Sequence, residues 1–456
     1  MTQIGEHCGT LSTSLARVLG QIHQDRLPNE IILKTKCCMV DFLAACFAAK
    51  RAKTREVAFN VARYMGPGQQ TLVGRKETGS LLGACLYNGM IAHAEELDDS
   101  HRYVSGLHLA AVVIPAAMAV AEDRHLSGLD FITAVVAGYE AAGRVCRCID
   151  QEHRLRGFHS TGTIGPFGSC AAAGTALKLD EPTLINAIGL AGSTGAGLFA
   201  FLEDGATVKH FHPGRAAMDG VMVALLASHG LTGPASVFEA REGFFHAYAG
   251  DFDAAPMLRP LDTYEICSAY HKLHSACGHS FPAIDAALAL RNQLSGNWRV
   301  VKRLELRSYR SAAALNNVRP LTAQEAKFSL PFLVALALVH GRVSRFDLTP
   351  ETLNSPDILD LAARTTVLED RGLQAEFPRL RAGILKAELA SGQVVENRVD
   401  TPRGMPDNPI SYDEICQKFI VESADCTTSE EQSKILTVVH RLESLQSVNE
   451  LTSLLS

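Results

Sequence analysis

The sequence has no uninterrupted apolar run of about 18 residues, which is the length a helix needs to cross a bilayer. The segment from Met1 to Leu19 also lacks a positively charged stretch followed by an apolar one, the pattern of a secretory leader. From these two absences we predict that the protein neither binds a membrane nor is exported. We therefore expect a cytoplasmic protein.

Basic charge and aromatic residues are scarce as well. Lysine and arginine number 43 against 49 aspartates and glutamates, so the net charge is -6. Aromatic residues make up 6% of the chain, and no cluster of basic residues is interleaved with them. Nucleic acid is thereby excluded as a predicted partner. An anionic substrate would have to be recognised by a few local cations.

Common cofactor and nucleophile motifs are missing. The chain has no G-x-G-x-x-G after a strand pattern, no Walker lysine motif, no H-E-x-x-H and no G-x-S-x-G. The twelve cysteines form no C-x-x-C pair, so they indicate reduced thiols. His210-x-His212 could hold a metal, but no acid or thiol follows at ligand spacing. We predict neither a metal site nor a cofactor.

What the chain does have is enough apolar sequence for a large core. Its 456 residues are 47% hydrophobic, and this length favours two domains over one. From about residue 10 to residue 250 the pattern is helical throughout and rich in alanine and glycine. Candidate helices cover residues 29–49, 80–99, 107–122, 128–147, 161–178 and 213–229.

The pattern changes after about residue 260. Residues 303–309 alternate between polar and apolar, and residues 384–399 resemble two strands around Ser391-Gly392, with helices at 322–340 and 350–365. The tail from Tyr412 to Leu455 is helical again, and its apolar stripe predicts docking on the first half. The predicted fold is mainly α, with an all-helical domain of residues 1–264 and 402–456 and a smaller α+β lid of residues 265–401.

One polar segment interrupts the helical half. Residues 87–101 crowd acids, imidazoles and a hydroxyl into an apolar frame. On a continuous helix, Asn88, Glu96 and Asp99 would share one face, and Ser100 would overlap it. We interpret this face as a candidate proton-handling surface.

Two further segments combine basic residues with a helix start. In residues 156–163, the free amides of the following helix could receive a substrate carboxylate, or Ser160 or Thr161 could simply cap that helix. Residues 204–215 concentrate Lys209, two histidines and Arg215, which together could neutralise a polycarboxylate. A solvated loop is the alternative for this second segment.

A third segment, residues 268–279, holds three histidines, Lys272 and Cys277 ahead of an apolar helix. Loops of this composition often line active sites. Lys272 could lower the pKa of Cys277, and a thiol with a near-neutral pKa can exchange protons with carbon acids. The alternative is a surface loop with an inert thiol.

Four blocks in order resemble the MmgE/PrpD family. They are Asn88-Gly89 through His93 to Ser100, Gly157-Phe158-His159-x-Thr161-Gly162, Gly214-Arg215-Ala216-Ala217-x-Asp219-Gly220, and Gly233-Pro234. The resemblance implies a helical domain built from both chain ends, a smaller α+β lid and a homodimer. It also implies a site between the domains that uses Ser100, His159, Lys209 and Lys272 for proton chemistry next to a carboxylate.

Two positions depart from the pattern of the family's dehydratases and decarboxylases. Glu96 stands where those enzymes have Asp, and Cys277 stands where the decarboxylases have His. Among the activities in the family, the resemblance favours a cofactor-independent epimerase acting α to a carboxylate of an iminodisuccinate-like amino polycarboxylate. The alternatives are a hydro-lyase or decarboxylase of a methylcitrate-like or aconitate-like acid, and a non-catalytic helical scaffold or ligand-binding protein.

The epimerase hypothesis assigns roles to particular side chains. Inversion without a cofactor needs one group that removes the α-proton and another that returns it from the opposite face. The candidates for these two roles are Lys272, Cys277, His159 and Tyr139. The candidate substrate-binding residues are Lys209, Glu96, Asp99, Ser100, His108, Thr161 and Arg215.

Overall fold

The computed structural model describes residues 9–104 and 106–456. Residues 1–8, which belong to the segment predicted to lack a leader, lie outside the described residues. The protein is mainly α-helical with a smaller α+β part, which confirms the predicted fold class. Within the described ranges, no helix is both long and apolar enough to cross a membrane.

The first part of the chain is built from helices that pack around one large core. They are α1 Leu11–Leu19, α2 Asn29–Ala48, α3 Lys53–Tyr64, α4 Leu81–Ala92, α5 Ala110–Asp123, α6 Gly128–Arg147, α7 Asp150–Leu155, α8 Ser160–Thr163, α9 Gly165–Ala176, α10 Glu181–Ala191, α11 Phe211–Ser228, α12 Phe244–Tyr248 and α13 Ala255–Leu258. Small residues allow these helices to approach closely, as where Gly138 of α6 faces Gly168 of α9.

The sequence predicted that this part is all helical, but it also contains short strands. Strands β1 Gln70–Thr71 and β2 Thr78–Gly79 form a short antiparallel pair. Asn88 of α4 holds the adjacent backbone: its side chain accepts from the Val73 N–H at 2.9 Å and donates to the Thr71 carbonyl at 2.8 Å. A second pair joins β3 Ser100–His101 to β4 Ala269–Tyr270 and so links two distant polar segments.

A four-stranded sheet lies in the second part, in the order β6-β5-β7-β8. Its strands are β5 Val301–Ser308, β6 Thr365–Glu369, β7 Gly383–Leu389 and β8 Val394–Val399. β7 pairs antiparallel with β5 and β8, which confirms the strands predicted from alternation. β6 runs parallel to β5 and was not predicted: the helix predicted at 350–365 ends where β6 begins, and no element was assigned to residues 366–369.

The helices of this part are shorter than predicted. They are α14 Phe281–Gln293, α15 Arg310–Ala313, α16 Ala323–Ala326, α17 Leu330–His340, α18 Pro350–Leu353, α19 Pro356–Ala363 and α20 Arg371–Glu376. The predicted helix at 322–340 is broken at Ser329, whose side chain caps α17 by accepting from the Phe332 N–H. The predicted helix at 350–365 is also divided: α18 ends at Leu353, and Pro356 is the first residue of α19.

The tail forms α21 Tyr412–Ser423, α22 Ser429–His440 and α23 Asn449–Thr452. Its apolar residues Ile415, Phe419, Ile435 and Val439 are buried in the large core, which confirms the predicted docking. That core draws its residues from 11–269 and 410–455, and a second core draws its residues from 270–405. The proposed domain boundaries at 264/265 and 401/402 stay a prediction.

Candidate active site

The short β3–β4 pair brings the first and third polar segments together. Ser100 lies opposite Tyr270 and His101 lies opposite Ala269, so the chain after α4 runs beside the segment that carries Lys272 and Cys277. The Ser275 hydroxyl adds a further link by donating to the Glu95 carbonyl at 2.6 Å. Residues up to 180 positions apart in sequence therefore share one region of the molecule.

The predicted helix at 80–99 is wrong in its second half. α4 ends at Ala92, His93 is its C-terminal cap, and Glu96 has a left-handed φ of +55°. The acidic side chains of this loop bind groups elsewhere in the chain. The Asp99 carboxylate, for example, accepts a hydrogen bond of 2.8 Å from the Ala110 N–H at the start of α5. Glu96 and Asp99 are thus brought to the site by an irregular loop and not by a shared helix face.

Glu96 joins two lysines in the centre of this region. Its Oε1 accepts from the Lys209 ammonium, and its Oε2 accepts from the Lys272 ammonium at 3.0 Å. All three side chains are buried. Although burial opposes ionisation, the two ammonium groups hold the pKa of Glu96 well below its usual range. One negative and two positive charges are therefore buried together, so these three side chains by themselves keep one positive charge.

The two lysines differ in electrostatic setting. Burial lowers the pKa of Lys209, although Glu96 partly opposes this effect. Burial acts on Lys272 too, but the carboxylates of Glu96 and Asp98 outweigh it and raise the pKa of Lys272. Lys272 lies 3.9 Å from Asp98 Oδ1. Lys272 is the more firmly charged of the two, and Lys209 is the more readily deprotonated.

Two neutral imidazoles surround Asp98. His93 Nδ1 lies 2.8 Å from Asp98 Oδ2, and His108 Nδ1 lies 3.3 Å from the same oxygen. Burial lowers the pKa of His93 to about 3 and also lowers that of His108, although Asp98 opposes both shifts. The aspartate is therefore the charged member, and the histidines are uncharged near neutral pH.

His159 is held by a third histidine. Its Nδ1 lies 2.8 Å from Nδ1 of His212. His212 lies at the start of α11, three residues after Lys209. Burial and then the neighbouring His212 and Lys209 hold the pKa of His159 well below its usual range. Its Nε2 is buried and has no hydrogen-bond partner among the described residues. A neutral imidazole with an uncommitted nitrogen can take up a proton.

The helix start after His159 does not present free amides in the way the sequence suggested. The Thr161 N–H donates to the Gly106 carbonyl at 3.0 Å, and the Gly162 and Thr163 N–H groups donate to the His159 carbonyl. The Thr161 hydroxyl also donates to Gly106 at 2.6 Å and accepts from the His108 N–H at 3.1 Å. Thr161 therefore positions the loop that carries His108.

A small cavity of about 40 Å³ adjoins these groups. The predicted site residues that line it are Glu96, Ser100, His108, His159, Lys209 and Cys277. Lys272 reaches the same place from behind Glu96. The structure thus brings together residues from the first, second and third polar segments.

Besides Lys272, four predicted residues do not line this cavity. Tyr139 and Asp99 form a buried pair, with the Tyr139 hydroxyl donating to Asp99 Oδ2 at 2.7 Å. Burial raises the pKa of Asp99 to about 7 and that of Tyr139 well above its usual value. Thr161 lies behind the loop of His108, and Arg215 pairs with Asp219 at 3.1 Å and donates to the Thr194 carbonyl at 2.6 Å.

The thiol of Cys277 lines the cavity, but its protonation differs from the expectation. Burial and then the Glu96 carboxylate raise the pKa of Cys277, and the two lysines only partly oppose this. Lys272 acts in the predicted direction and lowers the pKa of Cys277, but burial and the Glu96 carboxylate outweigh it, so the thiol does not reach the near-neutral pKa that we expected. Cys277 is a protonated thiol in the substrate-free protein.

Several lining residues escaped the sequence analysis. Arg154 lies over the Phe199 ring at 3.8 Å, and Arg381 donates to the carbonyls of His101, Arg102 and Val104. Arg381 comes from the loop before β7, and no local pattern marks it because its partners lie 277 to 280 residues away. His212, which contacts His159 but does not line the cavity, did carry a signal in the sequence as part of the basic segment 204–215.

Comparisons with known proteins agree with this geometry. Residues 13–257 match the MmgE/PrpD N-terminal domain and residues 274–444 match the MmgE/PrpD C-terminal domain. The chain therefore belongs to the MmgE/PrpD family. Its relatives in this family are enzymes, mostly lyases and dehydratases.

Three relatives illustrate the range of likeness. Cis-aconitate decarboxylase-like protein oryM of Aspergillus oryzae is 27% identical over 98% of this chain and 98% of its own length. Cis-aconitate decarboxylase of Aspergillus terreus is 24% identical over 95% of this chain and 93% of its own. A 2-methylcitrate dehydratase of Cupriavidus necator is 25% identical over 59% of each chain.

Proposed function

We propose that this protein is a lyase that decarboxylates a small tricarboxylate of the aconitate class. The observation that carries the proposal is the pairing of Lys209 and Lys272 with Glu96 beside the uncommitted Nε2 of His159. The likeness to cis-aconitate decarboxylases over nearly the whole chain supports the same reaction.

Charge in the cavity suits a polyanion. Lys209, Arg154 and Arg381 line it against the single carboxylate of Glu96, and Lys272 adds a cation behind that carboxylate. In a cavity of low dielectric constant, such an excess of positive charge attracts carboxylates strongly. One substrate carboxylate would pair with Lys209, and others would face the two arginines.

The chemistry follows from this placement. When the carbon–carbon bond to the leaving carboxylate breaks, its electron pair stays on the substrate and spreads toward a neighbouring carboxylate, while carbon dioxide departs. Lys209 stabilises the negative charge that develops there. The carbanion then needs a proton at carbon. Burial lowers the pKa of His159 in the empty site, and His212 and Lys209 lower it further. Bound carboxylates would raise this pKa, so His159 can acquire that proton and deliver it.

Two other reactions share this machinery. A neutral His159 could instead remove a proton next to a carboxylate and start loss of water, which the likeness to 2-methylcitrate dehydratase supports. The protonated thiol of Cys277 lines the same cavity as the neutral imidazole of His159. One group that donates a proton and one that accepts a proton are what an epimerase requires. Epimerisation of an iminodisuccinate-like acid therefore stays our third candidate, after the hydro-lyase.

One assay in deuterated water separates these reactions. The protein is incubated without cofactor with cis-aconitate, with 2-methylcitrate, and with an amino dicarboxylate. Release of carbon dioxide and one deuterium at the product carbon supports the decarboxylase. Loss of water alone would assign a hydro-lyase, and exchange of the α-proton with neither product would assign an epimerase. Absence of all three reactions would overturn an enzymatic function on these acids.

Matched variants test the site. We expect His159→Gln to lower kcat/KM by about 10²- to 10⁴-fold, the usual contribution of a proton-transfer group. Lys272→Met should abolish turnover, while Lys302→Met, in an exposed pair with Glu388, should leave it unchanged. Circular dichroism and a thermal melt check that each variant folds. A non-catalytic ligand-binding protein would bind the acid and show no turnover in any of these forms.

The cytoplasmic location and the homodimer are part of the proposal. Sedimentation at several concentrations measures the oligomeric state. A monomer throughout would remove the dimer and leave the reaction unaffected.

A further inference from the structure

Three buried histidines converge beside the cavity. One ring nitrogen from each of His93, His108 and His159 lies within 4.8 Å of the other two. The rings of His93 and His108 are 4.4 Å apart between centroids, and His159 lies 6.1 and 6.3 Å from them. The sequence analysis considered a metal only at His210-x-His212 and rejected it, and both residues have other partners: His210 Nδ1 pairs with the Thr54 hydroxyl at 2.7 Å, and His212 pairs with His159.

Hydrogen bonds determine which nitrogens are available. His108 Nδ1 lies 2.8 Å from the Asp99 carbonyl, and His93 Nδ1 lies 2.8 Å from the Asp98 carboxylate. A carbonyl and a carboxylate oxygen can only accept, so both Nδ1 atoms must carry hydrogen. In a neutral ring the Nε2 atom is then a bare acceptor. His93 Nε2 and His159 Nε2 are buried and have no partner among the described residues.

We propose that His93, His108 and His159 bind a first-row transition-metal dication, with Zn²⁺ as the representative ion. Neutral imidazole nitrogens are the ligands that such ions prefer over harder oxygen donors. Three histidines and one open position form a common catalytic-type zinc coordination set. Two nitrogen ligands of a tetrahedral zinc are about 3.3 Å apart, so binding would draw the three rings closer together.

Groups behind the rings fit the same role. Metal-bound histidines usually donate their second N–H to a carboxylate or a backbone carbonyl, which orients the ring and increases its basicity. Here the Asp98 carboxylate accepts from His93 Nδ1, and the Asp99 carbonyl accepts from His108 Nδ1. The nearby lysines are balanced, since Lys209 and Lys272 face the carboxylates of Glu96 and Asp98. The metal would therefore be held by the three imidazole nitrogens and not by a net negative charge.

The consequence is inhibition by metal. His108 and His159 line the cavity in which we place the substrate, so a metal held by them would occupy that space and withdraw His159 from proton transfer. This inference goes beyond the proposed reaction, which uses no metal. Zn²⁺ should compete with the polycarboxylate substrate.

Cobalt titration tests the site directly. Co²⁺ is added to the substrate-free protein, and visible absorbance reports tetrahedral coordination. We expect one Co²⁺ per chain and a loss of affinity of at least about tenfold in His93→Gln and in His108→Gln. The exposed His229→Gln variant is the control and should bind like the wild type. Cys277→Ser should also keep the spectrum, because the proposed ligands are nitrogens. Thermal melts verify that each variant folds.

The outcomes are distinct. Absence of a tetrahedral spectrum, or equal affinity in both histidine variants and the wild type, would overturn the site. A spectrum that is lost in Cys277→Ser and kept in His93→Gln would assign the metal to thiols and also overturn it. No substrate is present, so a negative result leaves the proposed lyase reaction untouched, and a failed lyase assay leaves the cobalt result untouched.

Discussion

Glu96 is the residue around which the candidate site is arranged. A non-glycine residue at a φ of +55° is strained, and such a conformation persists only where surrounding contacts hold it. Here the contacts are the ion pairs to Lys209 and Lys272. Removing one partner of a buried ion pair costs about 3–5 kcal/mol because the remaining charge loses its counter-ion. Glu96 therefore combines structural strain with the charge balance of the cavity.

Asp99 gives a prediction about pH. Burial raises its pKa from 3.8 to about 7 in the folded protein, against the opposing hydrogen bonds from Ala110 and Tyr139. Between these pH values the folded protein binds more protons at this site than the unfolded chain, so Asp99 lowers stability as pH rises from about 4 to 7. We expect Asp99→Asn to gain stability relative to wild type over this range, by at most about 1.4 kcal/mol per pH unit.

Urea unfolding at pH 4.5 to 8 measures this difference. Asp347→Asn is the control of opposite sign: despite burial, hydrogen bonds from Arg342, Ser344 and His340 lower the pKa of Asp347. Above the pKa of this carboxyl group in the unfolded chain, ionised Asp347 makes its full contribution to the free energy of unfolding. The stability lost in Asp347→Asn should therefore stay constant from pH 5 to 7. A constant difference between wild type and Asp99→Asn would contradict the raised pKa.

At the scale of elements, the site depends on how closely α4 packs on α11. A Cβ added to Gly89 would lie 2.7 Å from Gly214 Cα, and one added to Gly214 would lie 2.4 Å from the Leu86 carbonyl. Helix α4 leads into the loop of Glu96, while α11 carries His212 and follows Lys209. The spacing between the two helices therefore sets the distance between the acid and its lysine.

Gly214→Ala should consequently affect both stability and activity. The added methyl group meets backbone that cannot give way, so we expect a loss of about 1–3 kcal/mol in the free energy of unfolding. Displacement of α11 should lower kcat/KM as well. Gly20→Ala is the control, because a Cβ there has no atom nearer than 3.4 Å. Urea unfolding and initial rates check both, and a Gly214→Ala protein as stable and active as wild type would refute the packing argument.

Local periodicity predicted the elements that depend on local contacts. Helices at 29–49 and 128–147 were found as α2 and α6 with nearly the same bounds, and the Ser391-Gly392 turn joins β7 to β8 as expected. The errors fell where a distant partner decides. β6 pairs with β5 across about 60 residues, and the loop after α4 turns to reach Lys272. Patterns within a short window carry no information about such partners.

At the scale of the whole molecule, the tail completes the first core and reaches the site. Phe419 of α21 is fully buried and packs edge-to-face on Phe47 of α2. Its neighbour Lys418 pairs with Asp41 and donates to the Leu97 carbonyl at 2.6 Å, next to Asp98. The last part of the chain therefore supports the same loop that presents Glu96.

Phe419→Ala should destabilise the protein by about 3–5 kcal/mol, the usual cost of a large aromatic cavity in a core. Because Lys418 lies beside it, we expect activity to fall at temperatures where the protein is still folded. Val421→Ala, exposed on the same helix, should change stability by less than about 0.5 kcal/mol. Thermal melts and rate measurements on both variants provide the comparison. Equal melting temperatures would exclude a structural role for the tail.

The sequence alone determined the helical first half, the alternating strands β5, β7 and β8, the amphipathic tail and the polar segments that hold the site residues. All of these follow from periodicity and composition within short stretches of chain. Only the tertiary structure decided that Glu96 joins two lysines, that Tyr139 and Arg215 lie off the cavity, and that Arg154 and Arg381 lie on it. The contacts of Glu96 and Arg381 join segments more than 100 residues apart, and those of Tyr139 and Arg215 depend on how neighbouring helices and loops pack. Burial then shifts the protonation of the groups that meet there.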